Sequence, residues 1–168
     1  MSTGPHAQIH RAPMTVRMAA SPRPTGAGAQ IVDDDVFRLL IDMEIKKAQR
    51  LRYLFSVIWV HVEAETATPD VGAAARMLAS TIRSTDAVTA RDGSTVVLLL
   101  IDADASNLPT ILQRLEVAAL EAVPWSAGGA CYPQTAASSE ALLSQAAAMM
   151  ARARQDGGRR FYIPTTTS

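Results

Sequence analysis

Two strand-like stretches joined by Asp92-Gly93 place the strongest constraint on how this chain can fold. Residues 87–91 and 94–101 are rich in β-branched and apolar side chains, which favour strands. The Asp-Gly dipeptide between them is typical of a two-residue hairpin, because both turn positions require a positive φ. The sequence therefore predicts an antiparallel strand pair here. Since residues 96–101 are apolar without interruption, the second strand is expected to be buried on both faces.

The rest of the chain alternates between helical and strand patterns. Residues 54–62 (LFSVIWVHV) are almost all apolar and predict a central strand. Helices are predicted over residues 33–52, from Thr68-Pro69-Asp70 to about 84, over 108–119 and over 138–154, and further strands over 125–132 and 160–163. This order indicates an α/β sandwich, in which a central mixed sheet of about five strands is packed against helices.

Residues 1–32 differ in composition from the rest of the chain. They contain Arg11, Arg17 and Arg23 but no acidic residue, and they are rich in Pro, Gly, Ser, Thr and Ala. This pattern predicts a flexible basic N-terminal tail, with a targeting or partner-docking segment as the alternative. The folded domain is then expected over residues 33–164, followed by a disordered C-terminus over 165–168.

Composition excludes several classes of protein. Residues 33–168 contain all sixteen acidic residues and thirteen basic ones, a net charge of about −3, so a basic nucleic-acid-binding surface is not expected. No apolar run is long enough to cross a bilayer, and the lone Cys131 fits a reducing compartment. These features predict a cytoplasmic protein without a membrane partner. The three histidines, His6, His10 and His61, lack metal-ligand spacing, so we expect no metal and no other cofactor.

Several strings, in the same order along residues 35–163, resemble the GGDEF family of diguanylate cyclases. They are EIKKAQR at 44–50, RSTD at 83–86, DGSTV at 92–96, VLLLIDAD at 97–104, SAGGACYP at 126–133, and LLSQAAAMMARAR at 142–154. The third string falls on the GGDEF signature itself. The resemblance implies a nucleotidyl-cyclase-like α/β sandwich.

The signature and the metal positions depart from the family pattern. The resemblance implies that two GTP molecules are joined with the help of Mg²⁺, which prefers carboxylate oxygens. The degenerate metal positions here are His61 and Thr95, and a histidine is a poor ligand for Mg²⁺. The degenerate signature consists of Asp92, Gly93, Ser94, Thr95 and Val96, with Ser94 and Thr95 in place of two acids.

The nucleotide-binding positions implied by the resemblance are altered as well. Only twenty positions separate Glu63 from Arg83, which is too few for the family's guanine-binding stretch. A lysine that contacts phosphate is replaced by Arg154, and an aspartate nearby by Ala147. We therefore expect no catalytic residues and no diguanylate cyclase activity.

Arg83 and Asp86 match the R-x-x-D motif, which the resemblance implies as an inhibitory site for cyclic di-GMP. An arginine can grip phosphate with paired hydrogen bonds and stack on a base. The structural alternative is a helix-terminal arginine followed by ordinary loop chemistry. Two functions therefore stay open: an inactive interaction or scaffold module that binds a protein partner in bacterial signalling, or a cyclic di-GMP receptor that uses Arg83 and Asp86. In either case the chain could be a homodimer, and residual enzyme activity is a third, weaker hypothesis.

Overall fold

The computed structural model describes residues 28–63 and 71–165. Within them the strands are β1 (Gln30–Ile31), β2 (Phe55–Val62), β3 (Ala87–Arg91), β4 (Thr95–Ile101), β5 (Trp125–Tyr132) and β6 (Phe161–Tyr162). The helices are α1 (Asp34–Leu51), α2 (Val71–Thr81), α3 (Leu108–Leu115), which continues as a π-helical turn (Glu116–Leu120), and α4 (Ser139–Gln155). None of these helices combines the length and the hydropathy that a bilayer-spanning segment needs.

The strands form one mixed sheet in the order β1-β3-β4-β2-β5-β6. The central strand β2 is antiparallel to both β4 and β5, whereas the two short edge strands run parallel to their neighbours. This architecture confirms the predicted α/β sandwich. The sheet has one strand more than the five expected, and the additional strand is β1.

The domain begins earlier than the sequence predicts. β1 lies inside residues 1–32, where we expected a flexible tail. The amide of Ala29 donates to the carbonyl of Ala79, and that of Val32 to the carbonyl of Val88, each at 2.8 Å. Two residues are too few to show a hydrophobic alternation, so the pattern gives no signal for this strand. The rest of the predicted tail, residues 1–27, and residues 166–168 of the predicted C-terminus lie outside the described residues.

Helices cover both faces of the sheet, and each face has its own apolar core. On one face α2 and α3 pack against Ile58, Val60 and Leu98. On the other face α1 and α4 pack against Phe55 and Val57. The strands β2 and β4 therefore have apolar side chains on both faces, as their mostly apolar sequences predict.

The predicted hairpin turn forms at Asp92-Gly93. Asp92 has φ of 39° and Gly93 has φ of 80°, which is the backbone conformation that the dipeptide favours. The carboxylate of Asp92 accepts hydrogen bonds from the amide and the hydroxyl of Ser94, each at 3.3 Å. The turn holds β3 and β4 in a register that pairs Arg91 with Thr95.

α4 approaches the sheet very closely at Gly128. A β-carbon built on Gly128 would lie 2.2 Å from the backbone nitrogen of Met150 and 2.4 Å from the backbone oxygen of Ala146. Only a glycine leaves room for the backbone of the helix at this distance. The contact fixes the C-terminal half of α4, including Arg154, against the end of β2 and β5.

Candidate functional site

His61 and Thr95, the two positions at which the resemblance implies metal ligands, lie side by side at one end of the sheet. His61 on β2 is the cross-strand partner of Thr95 on β4 and of Ser126 on β5. Because cross-strand partners project from the same face of a sheet, the three polar side chains are neighbours. All three are buried, on the face that α1 and α4 cover.

An ion pair closes this end of the sheet. Arg154 Nε on α4 donates to Glu63 Oε2, just after β2, at 2.9 Å. His61 Nε2 lies 3.3 Å from the same carboxylate oxygen. The side chains of Glu63 and Arg154 are both partly exposed, so the pair contributes at most about 1 kcal/mol to stability. The pair matters more for the chemistry of the site than for stability, because the guanidinium of Arg154 already neutralises the carboxylate of Glu63.

The surroundings of His61 favour its neutral form. Burial lowers the pKa of the imidazole below its ordinary value of 6.5, and the positive charge of Arg154 lowers it further. Glu63 and Asp92 act in the opposite direction but do not reverse the shift. His61 is therefore an uncharged side chain in contact with a carboxylate at neutral pH.

These residues do not fit Mg²⁺. The ion requires hard oxygen ligands in octahedral geometry, usually including one or two carboxylates. Here Glu63 is bonded to Arg154, Thr95 offers a neutral hydroxyl, and His61 offers a nitrogen. Within residues 28–63 and 71–165, no three His, Cys, Asp or Glu side chains are grouped so that they could hold a metal ion. The stretch after Glu63 in which the family reads guanine is residues 64–70 here, which lie outside the described residues.

The signature hairpin has structural roles. The carbonyl of Ser94 accepts a hydrogen bond from the amide of Val62 at 2.8 Å, and Val96 is fully buried in the sheet. Asp92 accepts its hydrogen bonds from Ser94 within the turn, among the residues that the structure describes. The hairpin thus anchors β4 beside β2.

Asp86 of the R-x-x-D motif is part of the fold. Its side chain is buried, and the two carboxylate oxygens accept hydrogen bonds from the amides of Arg83, at 3.0 Å, and Ile101, at 2.9 Å. Burial raises the pKa of the Asp86 carboxyl, although both of these bonds oppose the shift. The residue therefore ties the end of α2 to the end of β4.

Arg83 is exposed and lies at a pocket of about 500 Å³. Its Nη2 donates to the carbonyl of Ile101 at 2.6 Å. Arg114 on α3 and Asn107 before α3 also line this pocket, together with Asp102. The structure thus places two arginines around one cavity.

Sequence reasoning missed Arg114. It is one of several polar residues on an amphipathic helix, and 31 positions separate it from Arg83. No local pattern relates the two residues, because packing of α3 near the end of α2 brings them to the same pocket. The position of Arg114 is therefore information that only the fold provides.

Comparisons with known proteins identify the architecture. Neither the protein-family models nor the curated proteins gave a match to the sequence. Among solved structures, the GGDEF domain of YfiN (also called TpbB) from Pseudomonas aeruginosa has a TM-score of 0.71 at 16% identity, covering 81% of this chain and 98% of that one.

Two further similar structures were solved as complexes. The GGDEF domain of DgcB from Caulobacter crescentus, in complex with c-di-GMP, has a TM-score of 0.64 at 14% identity and covers 84% of this chain and 94% of that one. The diguanylate cyclase SiaD from Pseudomonas aeruginosa, in complex with its activator SiaC, has a TM-score of 0.67 at 18% identity, with coverages of 94% and 67%. The chain therefore has the fold of the GGDEF domains of diguanylate cyclases.

Proposed function

We propose that this chain is a non-catalytic GGDEF-like domain that acts by binding a protein partner, as an interaction or scaffold module in bacterial signalling. The observation that supports this best is the bond from Arg154 Nε to Glu63 Oε2. It puts a fixed positive charge at the end of the sheet where the family resemblance implies a divalent cation. A cation binding there would be repelled by the guanidinium and would have to displace it from the carboxylate.

The neighbouring side chains strengthen the argument. His61 and Thr95 provide no carboxylate, and the shifted pKa of His61 keeps its imidazole neutral. Phosphoryl transfer depends on metal ions and positioned charges, so the loss of several such groups together removes most of the catalytic effect. A role in protein binding also has support from a structural neighbour, since SiaD was solved in complex with its activator SiaC.

Incubation of the full chain with GTP and either Mg²⁺ or Mn²⁺ tests the non-catalytic half of this proposal. We expect mass spectrometry to find neither the linear nor the cyclic dinucleotide, under conditions in which an active diguanylate cyclase forms both. Arg154→Ala should also be inactive, because freeing Glu63 leaves His61 and Thr95 unchanged. Product from the unmodified chain would overturn the proposal.

A second candidate function is binding of cyclic di-GMP, and the pocket beside Arg83 supports it. The volume of about 500 Å³ is within the usual range for small-molecule sites. Arg83 and Arg114 could pair with phosphates or stack on bases. DgcB, a structural neighbour, was solved in complex with c-di-GMP. Asp86 is the weaker part of this candidate site, because both of its oxygens already accept backbone hydrogen bonds.

Calorimetric titration with cyclic di-GMP separates the two candidates. If the chain is a receptor, Arg83→Ala and Arg114→Ala should each weaken binding by about tenfold to a hundredfold, the usual effect of losing a charged hydrogen bond. Arg76→Ala is the matched control, since Arg76 is an exposed arginine on α2 that does not line the pocket. Absence of heat with the unmodified chain would exclude the receptor and leave the protein-binding function.

A further inference from the structure

The strand β6 leaves one edge of the sheet open. Among the residues that the structure describes, β6 pairs with β5 and no strand lies on its other side. The carbonyl of Arg160 accepts a hydrogen bond from the amide of Ala127 on β5 at 3.0 Å, so this carbonyl points into the sheet. Because backbone groups alternate in direction along a strand, the backbone groups of Phe161 and the amide of Ile163 point away from the sheet.

An apolar groove lies on the α3 side of this edge. It has a volume of about 230 Å³, and Pro109 and Leu112 of α3 line it together with Trp125 and Phe161. Glu116 lines the same groove, and its carboxylate would repel an acidic side chain that entered. The groove therefore favours an apolar side chain.

The other side of β6 is basic. The ring of Tyr162 projects to this side, as alternation with Phe161 requires, and the guanidinium of Arg152 on α4 lies 5.2 Å from the ring centroid. Arg160 alternates with Phe161 in the same way. Both arginines are exposed, and neither forms an ion pair with any residue that the structure describes. Since Asp156 is bonded to the hydroxyl of Tyr162, two arginines face one acid here, and positive charge is in excess.

We propose that β6 is the docking edge for a protein partner that adds to the sheet an extended segment with alternating apolar and acidic side chains. Every second side chain of that segment faces the groove, and the intervening acidic side chains face Arg152 and Arg160. Backbone hydrogen bonds to Phe161 and Ile163 attach the segment, and the two sets of side chains select it. The excess of positive charge determines the occupant, because a basic segment would be repelled on the α4 side.

The short length of β6 limits the affinity. The strand has two residues, and Pro164 after Ile163 has no amide hydrogen, so only a few backbone hydrogen bonds are available. Short edge strands also protect a sheet against unselective pairing. The inference rests on the protein-binding half of the proposed function. A failed peptide titration leaves the outcome of the GTP incubation unaffected, whereas dinucleotide product would overturn the proposed function without affecting binding at β6.

Fluorescence anisotropy with a labelled peptide of about eight residues, in which valine alternates with glutamate, tests the proposal on the full chain. We expect saturable binding that weakens about tenfold or more when the same residues are regrouped into one apolar and one acidic block. A chain with both Arg152→Glu and Arg160→Glu should bind about tenfold or more weakly, and should instead bind a peptide in which valine alternates with lysine. Binding of the lysine peptide also shows that this variant is folded. Arg76→Glu, a charge reversal on α2, should leave both affinities unchanged.

Ile163→Pro and Ile163→Ala separate backbone pairing from side-chain contact. Both remove the isoleucine side chain, but proline also removes the amide that points away from the sheet. We expect Ile163→Pro to bind the valine–glutamate peptide about fivefold or more weakly than Ile163→Ala, the usual effect of losing one hydrogen bond. In the unmodified chain, the peptide should slow hydrogen exchange at the amides of Phe161 and Ile163.

Four outcomes would overturn the proposal. They are no binding of the alternating peptide at about 1 mM, equal binding of the regrouped peptide, equal binding by the two Ile163 variants, and exchange protection that omits the amides of Phe161 and Ile163. Self-association of the unmodified chain that Ile163→Pro abolishes and Ile163→Ala does not would overturn it as well, because a second copy would then occupy the edge.

Discussion

Gly128→Ala should strongly destabilise the domain, because the backbone of α4 occupies the space that a β-carbon needs. The added carbon would lie 2.2 Å from the nitrogen of Met150 and 2.4 Å from the oxygen of Ala146. Carbon atoms in proteins pack at about 3.5–4.0 Å, so the helix would have to move away from β5 by about 1 Å or more. No flexible side chain can absorb this displacement, since the atoms that are met belong to the backbone.

The size of this destabilisation depends on the apolar side chains that α4 buries. The helix places Leu142, Leu143, Ala146 and Ala153 in the core, and a displacement of the whole helix loosens all four contacts. Overpacking usually costs about 1–3 kcal/mol and occasionally more. Because backbone is displaced here, we expect a loss of about 3 kcal/mol or more in the free energy of unfolding, against the 5–15 kcal/mol that is typical of a domain. The melting temperature should fall by about 10 °C or more.

Gly129→Ala is the matched control, with the same substitution at the next position of β5. Its β-carbon would meet the ends of two side chains, Ile163 Cγ2 and Phe161 Cζ, each at 3.0 Å. These side chains can shift by a few tenths of an ångström, so the expected cost is about 1 kcal/mol. Urea and thermal unfolding of the two variants measure the difference. Equal losses, or a Gly128→Ala protein as stable as the unmodified chain, would refute the packing of α4 described above.

Four further predictions concern buried or ion-paired groups. Arg154→Gln should raise the pKa of His61 and Glu63→Gln should lower it, because the two charges act on the imidazole in opposite directions. An NMR titration in which both substitutions shift the pKa of His61 in the same direction would contradict the geometry. Since the folded-state pKa of His61 is below 6.5, the unfolded chain binds the proton first, so stability should fall as pH drops from above 6.5 through the folded-state pKa. Denaturation above and below that pH measures this loss, and His61→Gln should reduce it. Asp86→Asn should cost about 1–3 kcal/mol in urea unfolding, because the amide nitrogen that replaces one carboxylate oxygen cannot accept from the backbone amide there; an unchanged midpoint would count against this role. The thiol of Cys131 is fully buried with a raised pKa, so a thiol reagent should label it only after denaturant is added, and rapid labelling of the folded chain would be inconsistent with its burial.

Local patterns predicted most of the secondary structure. The strand at residues 54–62, the hairpin at Asp92-Gly93 and the helix caps at Asp33 and Ser138 were all predictable, because each depends on a few neighbouring side chains. Both caps are present, with Asp33 accepting from the amide of Val36 at 2.9 Å and Ser138 from that of Ala141 at 3.1 Å. The sheet class followed from the order of these elements.

Long-range relations were not predictable from the residues. The ion pair of Glu63 with Arg154 joins positions 91 apart, and the sequence indicated only that Arg154 replaces a phosphate-contacting lysine. Likewise, Arg83 and Arg114 share a pocket only because α3 packs beside the end of α2. β1 was missed because a two-residue edge strand has no periodicity. The predicted helix over 108–119 ends its regular α-helical part at Leu115 and continues as the π-helical turn to Leu120, a change that hydrophobic spacing does not reveal.

We propose that Arg154, and not a divalent cation, compensates the charge of Glu63 at the end of the sheet. A titration of the isotopically labelled full chain with Mn²⁺ tests this most directly, because the ion broadens the resonances of nearby amides. With and without GTP, we expect no selective broadening of the amides of Val62, Glu63 and Ser94. Selective broadening of these three amides at low Mn²⁺ concentration would instead show that the cation binds where the guanidinium lies, and would contradict this role of Arg154.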